Sequence, residues 1–258
     1  MENAPFFLLS SKCTHSKFGS GCVGNQSGQL RTSMVDETCA LTCIENALQQ
    51  LKQDNNFELE SRVGTIKDHR FIPGTSFEYF KKFLDLLVVS TSDWTRVKPT
   101  TKLIDYFFPS QIRGRYKVHK IKFVKKEKRL KLSLSTPKRP YAVRISGSYE
   151  RPVTYKSNNK EPLRCRLQYR CVYVYKNCWK YCLSKTQTGA TKDIACKTLP
   201  RFEIELEVLP SIFDQYKNHS LRQLATKFLE KTKDLLSRYN ENLEEETLPL
   251  ALLDKWTA

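Results

Sequence analysis

Glycine is scarce in this chain, with nine in 258 residues, which excludes a flexible low-complexity protein. There is no run of about 18 apolar residues, so no membrane-spanning helix is expected. The opening MENAPFFLLSS has a short apolar patch but no basic flank and no convincing hydrophobic stretch, which argues against a signal peptide. None of the nine cysteines forms a CxxC pair. Cys13, His15 and Cys22, or Cys39 with Cys43, lack the spacing of a zinc site. Free, reduced thiols in an intracellular protein are expected. The CxxxxxR loop of cysteine-dependent phosphatases is also missing, since Cys165 and Arg170 fall short of that spacing on a strand-like segment.

Acidic residues are outnumbered, 27 against 44 Lys and Arg, leaving a net charge of +17. Such an excess points to a polyanionic partner (nucleic acid, a phosphate-rich ligand or an anionic membrane) or to a merely solvated basic surface. A hydrophobic content of 40%, with 14 Phe, 12 Tyr and 3 Trp, is enough for a proper core. Residues 1–33, rich in Ser, Gly and Lys, read as a mobile arm. Residues 34–258 read as one domain. A helix is predicted from Asp36 or Thr38 to about Lys52, striped by Leu41, Ile44, Leu48 and Leu51. A second helix over 76–89 is spaced by Phe77, Phe80, Phe83 and Leu87. From about 100 to 208 the pattern changes to strands: KLIDYFF, QIRGRYKVHKIKFVKK, RLKLSLS, YAVRISGSYE, LRCRLQYRCVYVY, CWKYCLSKT and RFEIELEV. SNNKEP at 157–162 is a turn signal. An amphipathic helix over about 220–239 starts at an N-cap, Ser220.

Two strands are acidic on one face. FELESRVG, ended by Gly64, places Glu58, Glu60 and Arg62 opposite Phe57, Leu59 and Val63. RFEIELEV places Glu203, Glu205 and Glu207 opposite Phe202, Ile204, Leu206 and Val208. Like charges some 4 Å apart repel by roughly 4 kcal/mol at an effective dielectric near 20. Such a cluster persists if cations sit in it or if members protonate, and hard oxygen ligands on rigid strands suit Mg²⁺ or Mn²⁺. Other strands are basic: Arg164, Arg166, Gln168 and Arg170 share one face, Arg144, Ser146, Ser148 and Glu150 another, and Arg113, Arg115 and Lys117 a third. A charged face turned into a wet tunnel, with the apolar face covered by helices, satisfies both patterns; the alternative is a solvated sheet surface, with QIRGRYK as a surface ribbon on RNA backbone. Arginine forks and lysines would then hold phosphates.

These segments resemble the triphosphate tunnel metalloenzymes, of the fungal, protozoan and viral mRNA 5′-triphosphatase type. FELESRVG resembles their opening ExExK/R strand, and RFEIELEV their ExExE strand. PYAVRISGSYERPV is similar to YDxRISxNxExPV, RCRLQY to KxRxSY and CWKYCLSKT to WxIDLT, over about residues 57–208. The resemblance implies an α+β, mainly β fold: a closed eight-stranded antiparallel β-barrel with flanking helices at both ends. It implies hydrolysis of the γ-phosphate of 5′-triphosphate RNA in the first step of mRNA capping. Glu58, Glu60 and Glu207 would be metal ligands for Mg²⁺ or Mn²⁺. Glu205 would orient water, with Glu203 supporting its strand and Arg62 at the phosphates. Arg113, Arg115, Lys126, Arg144, Arg164 and Arg166 would bind phosphate, and Glu150 would be a supporting carboxylate. Cys182 stands where the family has Asp, Ser184 where it has Thr and Ala142 at the Asp of YDxR; Asp193 or a shift of register is the alternative source of the carboxylate. Implied partners are the triphosphate end of nascent RNA, an RNA guanylyltransferase, and NTP or tripolyphosphate as surrogate substrates, with no membrane. The implied location is the nucleus, or the cytoplasm for a viral enzyme. Hydrolysis of tripolyphosphate or a nucleoside triphosphate in the same tunnel, and non-catalytic RNA binding by the basic sheet, are the competing readings.

Overall fold

The computed structural model describes residues 8–11, 37–68, 70–89, 94–117, 120–135, 140–155 and 161–237. In chain order these form β1 (Leu8–Ser11), α1 (Glu37–Gln53), β2 (Phe57–Lys67), β3 (Arg70–Pro73), α2 (Phe77–Val89), β4 (Trp94–Phe107), β5 (Ile112–Lys117) and β6 (Lys120–Ser135). There follow β7 (Ala142–Pro152), β8 (Arg164–Tyr175), β9 (Trp179–Gly189), α3 (Lys192–Lys197), β10 (Arg201–Val208), α4 (Ile212–Gln215) and α5 (Leu221–Ser237). Eight strands close on themselves in the order β2–β7–β6–β5–β4–β8–β9–β10 and back to β2, every pair antiparallel. A closed barrel leaves no unpaired edge within the ring. β1 and β3 are additions to it, pairing with β6 and β2.

The alternation read from the sequence decides which face is which. Phe57, Leu59, Val63, Ile204, Leu206, Val208, Val143 and Ile145 are all buried in one hydrophobic cluster with residues of α1, α2 and α5. These side chains leave the barrel outward, and the helices cover them; each burial contributes about 1.5–3 kcal/mol. α1 presents Ile44, Leu48 and Leu51, all buried, and is tied to α5 by Glu37–Lys233 at 3.0 Å and Glu45–Arg222 at 3.7 Å. On α2, Phe77 and Phe80 pack against Phe202, with ring centroids 5.0 and 5.2 Å apart. α5 starts with a capping box: Ser220 Oγ accepts from the Gln223 amide at 3.2 Å, and Gln223 Oε1 accepts from the Ser220 amide at 2.8 Å. Its Phe228 stacks on Trp179 of β9. Short α3 covers Cys165 and Leu167 on the outside of β8 with Ala195.

Several sequence expectations are corrected. QIRGRYKVHKIKFVKK is not one strand: β5 ends at Lys117, β6 begins at Lys120, and these two residues pair. RLKLSLS is the second half of the same β6, joined to the first through a bulge between Lys128 and Leu130. KLIDYFF is the end of the longer β4. Gly64 does not end β2, which runs to Lys67; a Cβ there would lie 2.3 Å from the Ile72 carbonyl oxygen and 2.6 Å from the Phe71 ring, so close approach of β3 explains the glycine. The expected N-terminal arm lies mostly outside the described residues, but Leu8–Ser11 forms a strand paired to Leu132–Ser135. The expected turn at 157–162 also lies largely outside them.

Candidate active site

The inward faces of the barrel strands surround a cavity of about 350 Å³. Among the described residues, eleven Lys and Arg side chains line it against five glutamates, so it carries a net positive charge suited to a polyanion. The acids are concentrated on one side. β2 and β10 are neighbours, and their register sets Glu60 directly across from Glu207 and Arg62 across from Glu205. Directly opposed carboxylates destabilise a sheet unless positive charge intervenes.

That charge comes from the walls. Lys126 Nζ lies 3.4 Å from Glu58, 4.0 Å from Glu60 and 2.9 Å from Glu150. Lys180 of β9 is paired with Glu207. Arg62 lies 2.6 Å from Glu205, 3.5 Å from Glu60 and 3.9 Å from Glu203, and Arg170 reaches Glu205 at 3.4 Å and Ser184 at 3.2 Å. Burial works against the charge on Glu205, but Arg62, Arg170 and Arg166 outweigh it and hold the carboxyl at about 2. Glu58 goes the other way. Burial, together with Glu150, Glu207 and Glu60, outweighs Lys126 and raises its pKa to about 8. Glu150 is lowered to about 2 in spite of burial, by Lys126 and Arg113. Glu58 is the carboxylate that the cluster cannot keep charged by itself.

The opposite wall is built around a residue that sequence reasoning missed. Asp105 on β4 is fully buried, and Arg115 grips it through Nε at 2.7 Å and Nη2 at 3.0 Å, while Arg166 reaches it at 2.5 Å. Despite burial, these two arginines depress its pKa far below the usual carboxylate range. Arg113 is paired with Glu150. Lys128, Lys131, Arg144 and Arg164 also line the cavity, and none makes an ion pair among the described residues. Burial, then Arg144 and Lys131, lowers the pKa of Lys128.

All the sequence-predicted residues except Glu203 line this one cavity. Glu203 is buried on the same face of β10, beside Arg62. Lys126, for which the sequence offers no landmark, sits between Glu58 and Glu150. Arg170 and Lys180 are additions: Arg170 shares the face of Arg164 and Arg166 at strand spacing, and Lys180 follows Trp179. Cys182 stands opposite Glu205 in the β9–β10 register, and Asp193 is exposed on α3. Burial pushes the Cys182 thiol up to about 12, so this position is neutral.

Glu58, Glu60 and Glu207 offer the all-oxygen set that hard divalent ions prefer, and burial, then the neighbouring Glu150, Glu207 and Glu60, raise the pKa of Glu58. Their donors fit such an ion. Among the described residues, no three acidic or other ligating side chains are already gathered around one point; Lys126 and Lys180 engage these glutamates instead. Among the described residues, no helix is long and apolar enough to cross a membrane.

The family model for the mRNA capping enzyme beta chain matches residues 69–241, two thirds of the 258-residue chain. The structure of the S. pombe Pct1 RNA triphosphatase is similar, with a TM-score of 0.60 at 23% identity, covering 84% of this chain and 99% of that one. A second Pct1 structure, in complex with the Spt5 CTD, has a TM-score of 0.60 at 21% identity, covering 80% and 96%. The RNA triphosphatase domain of the trifunctional mimivirus mRNA capping enzyme has a TM-score of 0.51 at 12% identity, covering 78% and 99%. At these identities the likeness concerns the fold. No curated protein sequence matches the chain. The match over β3 to α5 and the closed barrel with its charged interior lead to one conclusion: this chain belongs to the mRNA capping enzyme beta-chain family and is an RNA 5′-triphosphatase, a hydrolase acting on the triphosphate end of mRNA.

Proposed function

We propose that the cavity removes the γ-phosphate of 5′-triphosphate RNA, giving 5′-diphosphate RNA and orthophosphate, with a divalent ion at Glu58, Glu60 and Glu207. The observation that carries this reading is the division of one cavity into an acidic wall on β2 and β10 and a basic wall facing it. Mg²⁺ or Mn²⁺, when bound, would neutralise the three carboxylates and polarise a γ-phosphate oxygen. Arg113, Arg115 and Arg166 would meet the phosphates from the opposite wall, and Lys126 and Arg144 from its flanks, with Arg164 at the rim. Charge that spreads over the β- and γ-oxygens in the transition state is stabilised there without reorganisation. Asp105 aligns Arg115 and Arg166 before substrate arrives.

Glu205 is held ionised by Arg62 and Arg170, so it is a weak base but a firm hydrogen-bond acceptor. It would orient the attacking water in line with the leaving oxygen, while Glu203 steadies Arg62. The bond from γ-phosphorus to the β–γ bridging oxygen breaks as water oxygen bonds to the phosphorus. Glu150 keeps Lys126 and Arg113 in place. The products suit a guanylyltransferase as the next enzyme, and that pathway would place the protein in the nucleus, or in the cytoplasm for a viral enzyme.

Phosphate release from γ-labelled RNA, with Mg²⁺, with Mn²⁺ and with chelator, tests this. Orthophosphate should appear with a divalent ion only, and Glu58→Ala or Glu207→Ala should abolish it. Release at a tenth of the wild-type rate or better in either variant would overturn the ligand assignment.

A further inference from the structure

The lining of the cavity is charged almost throughout, and among the described residues one aromatic ring interrupts it, that of Phe107. Phe107 is the last residue of β4 and pairs with Arg113, near the start of β5, and with Arg164, the first residue of β8. Three strands therefore begin or end at this ring, which places it on the rim of the barrel. The Arg164 guanidinium carbon lies 4.3 Å from the ring centroid and that of Arg166 5.2 Å. Arg166 is committed to Asp105. Arg164 is exposed and makes no ion pair among the described residues.

A planar cation stacked on a ring at the mouth of a phosphate tunnel is a surface for a nucleobase. Bases stack on aromatic rings and on guanidinium planes whatever their identity, because each presents a π-face. The connection to the phosphate site is direct. Arg113, beside Phe107, pairs with Glu150; Glu150 holds Lys126; Lys126 contacts Glu58. An inorganic chain of three phosphates is served by these charges and gains nothing from the ring. A nucleoside 5′-triphosphate end with its γ-phosphate at the glutamates would follow this line of contacts, its α-phosphate toward Arg113 and its base toward Phe107. Phe71 is also covered by an arginine, Arg144 at 4.6 Å. Its ring, however, packs where Gly64 leaves room, and it does not line the cavity.

We propose that Phe107, with Arg164 stacked on it, is the platform for the first nucleoside of the RNA and sets the preference for nucleotide-ended over inorganic triphosphates. This rests on the reading that places the γ-phosphate at Glu58, Glu60 and Glu207. The test compares kcat/KM for triphosphate-ended RNA and for tripolyphosphate, with Mn²⁺, in the full chain. Phe107→Leu lowers the ratio of the two about tenfold, the order expected for a lost base stack, through KM for RNA. Phe107→Trp keeps the ratio at or above wild type, and Phe71→Leu leaves it unchanged. An equal loss on both substrates in Phe107→Leu, or an unchanged ratio, would overturn the platform. A matching fall in Phe71→Leu would overturn the choice of ring. Glu207→Ala, run beside them, should lose both substrates; if it does not, the γ-phosphate placement has failed, whatever Phe107 does.

Discussion

Removing the Asp105 carboxylate leaves two guanidiniums facing each other in a buried place. Asp105 is 0% exposed, and its partners Arg115 and Arg166 have side chains 28% and 14% exposed. Breaking a buried ion pair by deleting one partner costs about 3–5 kcal/mol. Water reaches part of both arginines, so the low end applies, about 3 kcal/mol. At roughly 2–4 °C per kcal/mol for a domain near this size, Asp105→Ala should unfold about 6–12 °C below wild type. Thermal unfolding followed by circular dichroism at low salt and about pH 7.5 measures this. The folded pKa of Asp105 is depressed, so its contribution is present above the ordinary carboxylate value, about 3.9, and is lost as pH falls through the lower folded value. The gap between variant and wild type should therefore hold constant down to about pH 5 and narrow below about pH 4. Added tripolyphosphate should raise Tm more in the variant than in wild type, because the released guanidiniums need an anion. A fall in Tm under about 2 °C, against the scaling above, or no extra rescue by the anion, would refute this account of the basic wall.

Two further outcomes follow from the opposite wall and the thiols. The folded pKa of Glu58, about 8, is raised above its ordinary value, so its contribution to stability is intact below about 4.5 and is lost as pH rises through about 8. Tm of the metal-free protein should fall over that range; Glu58→Gln should flatten the fall, and Mn²⁺ should reverse it with uptake that releases protons, measured by thermal melts and by titration in two buffers. Burial raises the Cys165, Cys171, Cys178 and Cys182 thiols above their ordinary value, so iodoacetamide near neutral pH should label exposed Cys39 and Cys196 without loss of phosphate release. Labelling at Cys182, read by mass spectrometry, would contradict its burial.

The barrel was legible where alternation was clean. In β2 and β10 the apolar residues Phe57, Leu59, Val63, Phe202, Ile204, Leu206 and Val208 go to the helices and Glu58, Glu60, Glu205 and Glu207 to the cavity, and period two alone separates them. The hairpin between β5 and β6 was hidden because YKVHKI has no Gly, Asn or Asp to mark a turn. By sequence alone the long β6 divides into two strands, because the bulge near Arg129 breaks its alternation. Asp105 could not be found from its own surroundings: one acid in KLIDYFF looks like an ordinary polar position, and only the pairing of β4 with both β5 and β8 brings Arg115 and Arg166 to it. Lys180 was likewise invisible until β9 was set beside β10, where it faces Glu207. The departure at Cys182 was readable in the sequence, but its neutrality follows from burial.

Calorimetric titration of Mn²⁺ into wild type and into Glu58→Ala, Glu60→Ala and Glu207→Ala, each with and without tripolyphosphate, tests the central claim most directly. The account predicts a wild-type site that tightens when tripolyphosphate is present and is lost in each variant. Undiminished Mn²⁺ affinity in all three variants would mean that the acidic wall does not hold the ion, and would contradict it.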